Sequence, residues 1–143
     1  MKVAIRYQSR GGNTKAVAEA IAKAVGVTAE PFDVPFSEPV DLLFVGGGVY
    51  MWDIDKSLKI YLESLDFESV KFSAIFSTSG GMDGTGKIAD ILKSRGVNVI
   101  NETLPMKFLT RNLAWLGGKG HIILSDKDLD FINIFVSKVI DKI

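Results

Sequence analysis

The sequence has no cysteine and a single histidine, His121. Disulfides, thiolate metal sites, cysteine nucleophiles and iron–sulfur ligation are thereby excluded, and so is a multi-histidine metal centre. Charge of one sign is not in excess either. Seventeen basic and 17 acidic residues give a formal net charge of zero, whereas a generic nucleic-acid binder carries a basic surplus. Long hydrophobic runs are also missing: the longest, Leu42 to Trp52, is about half of a transmembrane helix. The opening residues Met1-Lys2-Val3-Ala4-Ile5-Arg6 are charged too early for a secretory signal. These absences lead to the expectation of a cytoplasmic protein with neither a membrane nor a nucleic-acid partner. Any demanding chemistry then falls to carboxylates or to a bound organic cofactor.

What is present is the composition of an ordinary globular protein. The chain has 143 residues, 47% of them hydrophobic and 24% charged, which suits one domain spanning residues 1–143. A short apolar run predicts a buried strand from Lys2 to Tyr7. Val17, Ile21 and Val25, spaced by four, predict a helix from about Thr14 to Val25, kept slim by alternate alanines and stopped by Gly26. Val27 to Val34 reads as a weaker second strand, and Pro31 inside it assigns it to a sheet edge. Asp41 to Gly46 is a continuous apolar strand of the kind covered on both faces. Asp53 is expected to cap a second helix with the apolar face Ile54, Leu58, Tyr61, Leu62 and Leu65. A fourth strand is expected from Val70 to Phe76, a third helix around Ile88, Ile91 and Leu92 up to Gly96, and an alternating, half-exposed fifth strand from Val97 to Leu104. Residues 105–120 are ambiguous. Ser125 and Asp128 resemble a capping box that opens a last helix to about Lys142.

Strand and helix alternate with crossovers of helical length. This predicts an α/β three-layer sandwich, a parallel sheet with helices on both faces. The weak second strand and the alternating fifth belong at the edges, and the first, third and fourth in the middle, so the five-stranded order is 2-1-3-4-5. In such sheets ligands bind beyond the carboxyl ends of the strands, where the winding direction switches.

Three loops lie there. Ser9-Arg10-Gly11-Gly12-Asn13-Thr14 joins a strand to a helix start, where backbone N–H groups and the helix dipole favour an anion such as a phosphate. The plainer alternative is a tight turn in which Asn13 or Thr14 is an ordinary N-cap. Gly46-Gly47-Gly48-Val49-Tyr50-Met51-Trp52-Asp53 offers flat and polarizable side chains that could cover a flat ring, or could simply pack on a neighbouring helix. The third loop, Ser77 to Gly86, is rich in small donors and exposed backbone. It could read the polar edge of a ring or be merely a connection. Gly81 to Lys87 fits G-x-x-x-x-G-K, but Ile88 follows where a P-loop has the magnesium-binding Ser or Thr. A receiver domain is disfavoured because Tyr7-Gln8 stands where its acidic pair would be.

Taken together, these segments resemble the short flavodoxins, nearly from end to end. Ser9 to Thr14 is similar to the FMN-phosphate loop of that family. Asp41 to Trp52 resembles its third strand and first flavin-flanking loop, and Phe76-Ser-Thr-Ser-Gly-Gly its fourth strand and second flanking loop. Gly120-His121, followed by Ser125 to Leu129, resembles its approach to the last helix. The resemblance implies a flavodoxin-like fold and a noncovalent FMN. The cofactor set it implies is Ser9, Arg10, Gly11, Gly12, Asn13 and Thr14 at the phosphate, with Gly48, Val49, Tyr50, Met51 and Trp52 on one side of the ring and Thr78, Ser79, Gly80, Gly81 and Met82 on the other. Two departures stand out. Gly11 replaces a hydroxyl residue, which an inward-turned Arg10 would offset, and Met82 stands where the family usually has an aromatic.

The implied function is an electron carrier between redox protein partners, a reductase donor and an acceptor, with no catalytic residue and no metal. Two alternatives are an FMN-dependent NAD(P)H:quinone-type reductase and a flavin-less binding module. His121 and Trp115 are read as structural. The last helix carries apolar residues around about 240° of its circumference at about 100° per residue. It is either wedged between neighbours or, through Phe131 and Ile134, a surface for weak homodimers; otherwise the protein is a monomer. The zero net charge is a cancellation: residues 30–68 hold nine acids against Lys56 and Lys59, a net of −7. Asp53 and Asp55 in that stretch would disfavour an anionic reduced flavin and steer a basic partner.

Overall fold

The computed structural model describes residues 1–108 and 123–143. Strand β1 (Val3–Gln8) leads into helix α1 (Asn13–Val25), then β2 (Ala29–Pro31), β3 (Val40–Tyr50), β4 (Asp53–Ile54), α2 (Lys56–Glu63), β5 (Val70–Ser79), α3 (Thr85–Ser94), β6 (Asn98–Lys107) and α4 (Asp126–Asp141). The sheet order is β2-β1-β3-β5-β6, and β4 pairs only with β3. All neighbours on the main path are parallel, while β3 and β4 are antiparallel. The expected order of five parallel strands is therefore observed, with one short antiparallel strand added.

Period-two alternation divides the core between the two faces of the sheet. Ile5, Leu42, Phe44, Ala74 and Phe76 point to one side, where they pack with Val17 and Ile21 of α1 and Ile132, Phe135 and Val139 of α4. Ala4, Leu43, Val45 and Ile75 point to the other, against Leu58 and Leu62 of α2 and Ile88 and Leu92 of α3. The first side holds the aromatic packing, with Phe44 and Phe135 edge to face at 5.9 Å.

Helix ends follow local chemistry. Gly26 closes α1 in the left-handed conformation (φ 77°) and donates its N–H to the Ala22 carbonyl. The capping box of α4 is present, with Ser125 N donating to Asp128 Oδ2 at 2.8 Å and Asp128 N to Ser125 Oγ at 3.1 Å. The arc of α4 is shared: Ile132, Phe135, Val136 and Val139 are buried, whereas Phe131 and Ile134 are exposed.

Several expectations are corrected. The second strand is three residues long, since Asp33 and Phe32 already turn beyond Pro31. β3 continues through Gly46, Gly47 and Gly48 to Tyr50 rather than stopping at Gly46. The reason is close approach: a Cβ on Gly46 would strike the Phe76 ring and carbonyl, and one on Gly47 the Leu58 side chain. Asp53 is not a helix cap but part of β4; the cap of α2 is Asp55, whose Oδ1 accepts from Ser57 N at 2.8 Å. The last strand runs on to Lys107, carrying Pro105 at the sheet edge, where a missing N–H is tolerated. Residues 105–107 of the ambiguous segment thus belong to β6. Trp115 and the Gly120-His121 approach lie outside the described residues.

Candidate functional site

Parallel strands β1, β3 and β5 end on one rim of the sheet, where a cavity of about 200 Å³ opens. It is lined by Ser9, Gly11, Asn13 and Thr14 from the first loop, Gly48, Val49 and Tyr50 from the end of β3, and Thr78, Ser79 and Gly80 from the end of β5. The first loop turns on itself, Gly12 N donating to Ser9 Oγ at 3.0 Å. Gly12 is left-handed (φ 97°) and caps α1 without any side chain of its own, so neither Asn13 nor Thr14 is the N-cap; the first turn also carries no acid. Thr14 is buried, and its hydroxyl is hydrogen-bonded to that of Thr78 at 2.7 Å, tying the first loop to the third. Gln8, also buried, accepts from Gly48 N at 3.4 Å and ties the first loop to the second. In the third loop Ser79 Oγ donates to the Met82 carbonyl, and Ser77 Oγ accepts from Gly84 N at 3.3 Å.

The lining is chemically one-sided. Among the described residues it offers hydroxyls, an amide side chain, backbone and one phenol ring, and no carboxylate. Together with the positive end of α1 this donor set suits a phosphate, and Tyr50 suits a flat ring. An FMN fits these residues on both counts.

The second loop is a two-residue hairpin turn. Tyr50 pairs with Asp53, leaving Met51 (φ 48°) and Trp52 (φ 72°) as its central residues. Both are left-handed, the sign pattern that hairpins usually meet with Asn-Gly. Each such residue other than glycine costs about 1–2 kcal/mol. Both side chains stand in solvent, Met51 93% and Trp52 76% exposed. Strain of this kind persists only where surrounding structure holds it, and here two helices do so. Lys87 of α3 donates to the Trp52 carbonyl at 2.8 Å and pairs with Asp53 Oδ1 at 3.3 Å, and Lys59 of α2 pairs with Asp53 Oδ2. The lysine of the G-x-x-x-x-G-K pattern is thus committed to the hairpin.

The hydrogen bond from Lys59, helped by the backbone of Ile54, holds the Asp53 carboxyl at about 2. Asp55 is also held at about 2, first by the Ser57 hydroxyl and then by Arg10. Arg10 is turned away from the cavity. Its guanidinium reaches Asp55 Oδ2 through Nε at 3.1 Å and Nη2 at 2.8 Å, and its Cζ lies 3.8 Å from the centre of the Tyr50 ring. The expectation of unbalanced negative charge beside the ring site is corrected accordingly: both aspartates are paired with cations.

Of the residues expected at the site, the structure brings ten together around the cavity. Arg10, Gly12, Met51, Trp52, Gly81 and Met82 stand outside that lining, Gly12 as the helix cap and Met51 and Trp52 as the hairpin tip. Gln8, Lys59 and Lys87 hold the loops in place without any sequence signal for that role. Asp55 stands out in the sequence only for its charge beside the ring site, and it takes the capping role expected of Asp53.

The fold defines a protein of the flavodoxin type, a doubly wound α/β sheet with a cavity at its topological switch. An archaeal flavodoxin superposes with a TM-score of 0.74 at 21% identity, covering 99% of this chain and 98% of that one. Oxidised Flavodoxin 2 from Bacillus cereus superposes with a TM-score of 0.74 at 16% identity, with 100% of each chain covered. The rubredoxin oxygen:oxidoreductase of the anaerobe Desulfovibrio gigas reaches 0.73 at 15% identity, over 99% of this chain and 35% of that one. At such identities these likenesses show the fold. The flavodoxin domain family matches residues 4–123, and the chain belongs to that family. No curated protein matches it in sequence. Among the described residues no helix is long and apolar enough to cross a membrane, and no acidic or histidine cluster could hold a metal ion.

Proposed function

We propose that the protein binds FMN at the rim cavity and carries electrons between redox protein partners, a donor reductase and an acceptor, in the cytoplasm. The observation that carries this reading is the cavity itself: hydroxyl and amide side chains at the amino end of α1 line it together with the Tyr50 ring, and among the described residues no carboxylate does. Ser9, Gly11, Asn13 and Thr14 take the phosphate, while Gly48 to Tyr50 and Thr78 to Gly80 border the ring. FMN supplies the one- and two-electron chemistry when bound. The chain's part is to bind the phosphate, orient the ring and exclude water from its inner edge. The residues act as one domain, monomeric or weakly dimeric through Phe131 and Ile134, which sedimentation at high concentration tests.

The deciding experiment is a visible spectrum of the purified protein, followed by release of the chromophore with acid. A flavin spectrum and free FMN support the reading; a colourless protein that does not quench added FMN fluorescence overturns it. Steady NAD(P)H oxidation by the purified protein alone would replace the carrier by a reductase. Asn13→Ala and Thr14→Val are expected to weaken FMN binding about tenfold each, the scale of one lost hydrogen bond to a charged group. Unchanged affinity in both would remove the phosphate from this loop.

A further inference from the structure

Arg10 occupies the first loop but does not serve as one of its anion donors. Its side chain lies flat on Tyr50, with Cζ 3.8 Å from the ring centre, and both Nε and Nη2 are fixed on the same oxygen, Asp55 Oδ2. Its backbone N–H donates to the Tyr50 hydroxyl at 3.2 Å. The tip of the ring rests on Gly48, where a Cβ would come within 2.5 Å of the hydroxyl oxygen. Asp55 cannot drift either, because its other oxygen accepts from Ser57 N at 2.8 Å at the start of α2. The ring is therefore held at its face and its hydroxyl by the side chain and backbone of Arg10 and at its tip by Gly48 of its own strand, and so held it lines the cavity.

We infer that Arg10 is a positioning residue that acts through Tyr50: it fixes the ring as the aromatic wall of the site and places a cation behind it. For its ligand the inference rests on the flavin reading; for its geometry it does not. A cation on one face of an aromatic ring draws on the π density that the ring offers elsewhere. An electron-rich reduced flavin is then less disfavoured beside Tyr50 than it would be beside an unpolarised ring. Arg10 thus bears both on how tightly the planar ligand is held and on which of its oxidation states is held better.

The test is a double-mutant cycle with FMN fluorescence quenching as the readout. Arg10→Gln is expected to weaken binding of oxidised FMN about fivefold, the scale of a partly exposed cation–π contact. In a Tyr50→Leu background the same substitution is expected to change nothing further. The midpoint potential of the bound flavin, titrated with dithionite, is expected to fall in Arg10→Gln and to return in Arg10→Lys, which restores the charge. Equal effects of Arg10→Gln with and without Tyr50, or an unchanged affinity and potential, overturn the inference. The ligand-free protein supplies a separate readout. The Arg10 Nε–H proton is expected to show a ring-current shift that disappears in Tyr50→Leu; absence of that shift in wild type also overturns it. A wild type that shows the shift but does not quench FMN retains Arg10 as the residue that positions Tyr50, and it is the flavin reading that falls.

Discussion

Arg6 and Arg10 are four residues apart, one inside β1 and the other in the loop that follows, and the fold uses them in opposite ways. Arg6 is 6% exposed. Its guanidinium donates to the carbonyls of Val34 at 2.9 Å, Ile5 at 3.0 Å and Pro35 at 3.4 Å, pairs with Glu30 at 3.6 Å and lies 4.8 Å from the centre of the Phe36 ring. It stitches the segment after β2 onto the first strand. Arg10 has a side chain 57% exposed, touches one carboxylate and one ring, and lies against the cavity wall. Burial makes the first arginine part of the architecture, since a buried cation must have every donor answered. Exposure leaves the second free of that demand, so its contacts can serve the ligand. The body of the sheet thus selects for completeness, and the rim for placement.

Four measurements can break or sharpen this contrast. The largest effect is expected from Arg6→Ala, which strands the Val34 and Pro35 carbonyls. It is expected to destabilise by about 2–3 kcal/mol, read by urea denaturation, with FMN affinity of the folded protein little changed. Next is Trp52→Gly, which relieves a left-handed residue at the hairpin tip. A gain of about 1 kcal/mol is expected, and a loss would show that the indole, although exposed, is bound elsewhere. Arg10→Gln is expected to alter stability by less than about 0.5 kcal/mol, because exposed ion pairs contribute little. A loss as large as that of Arg6→Ala would erase the distinction between the two arginines.

The smallest effect concerns acid. Asp55 titrates at about 2 in the fold against an ordinary 3.8. A lowered folded value adds stability above the ordinary value, and that contribution disappears as pH falls through the folded one. The urea midpoint is therefore expected to drop more between about pH 5 and about pH 2.5 in wild type than in Asp55→Asn. Equal slopes would mean that the rim carboxylate is not coupled to folding.

The body was legible in the sequence because its signals are redundant. Leu42 to Val45 are apolar without interruption, and such a run has few places to go other than the middle of a parallel sheet. Pro31 named an edge by lacking a donor. The rim was less legible, for physical reasons. Gly46 to Gly48 read as loop because glycine carries no strand preference, whereas here their backbone runs straight and the missing Cβ atoms admit Phe76, Leu58 and Tyr50. The β3–β4 hairpin was hidden because Met51-Trp52 has none of the residues that favour left-handed turns. Its geometry is imposed from outside, by Lys59 and Lys87. Asp53 and Asp55 are equivalent as sequence signals for a cap, and the hairpin decides between them. For Arg10, chain position suggested an anion donor, but orientation was settled by Asp55, 45 residues away. Loop membership could be read locally; the direction of a side chain could not.

Asp55 divides its two oxygens between tasks, Oδ1 closing the start of α2 and Oδ2 holding Arg10. In the vocabulary of adaptation this makes position 55 pleiotropic. Any replacement other than Asn, Ser or Thr that retunes the wall of the site also frays a helix, so such variants carry a stability penalty before they offer a new property. Positions 10 and 50 have no second duty of that kind. Descendants of this chain that diverge in ligand preference are therefore expected to vary at 10 and 50 while 55 keeps a capping side chain, a pattern that a selection experiment on a library covering all three positions would reveal.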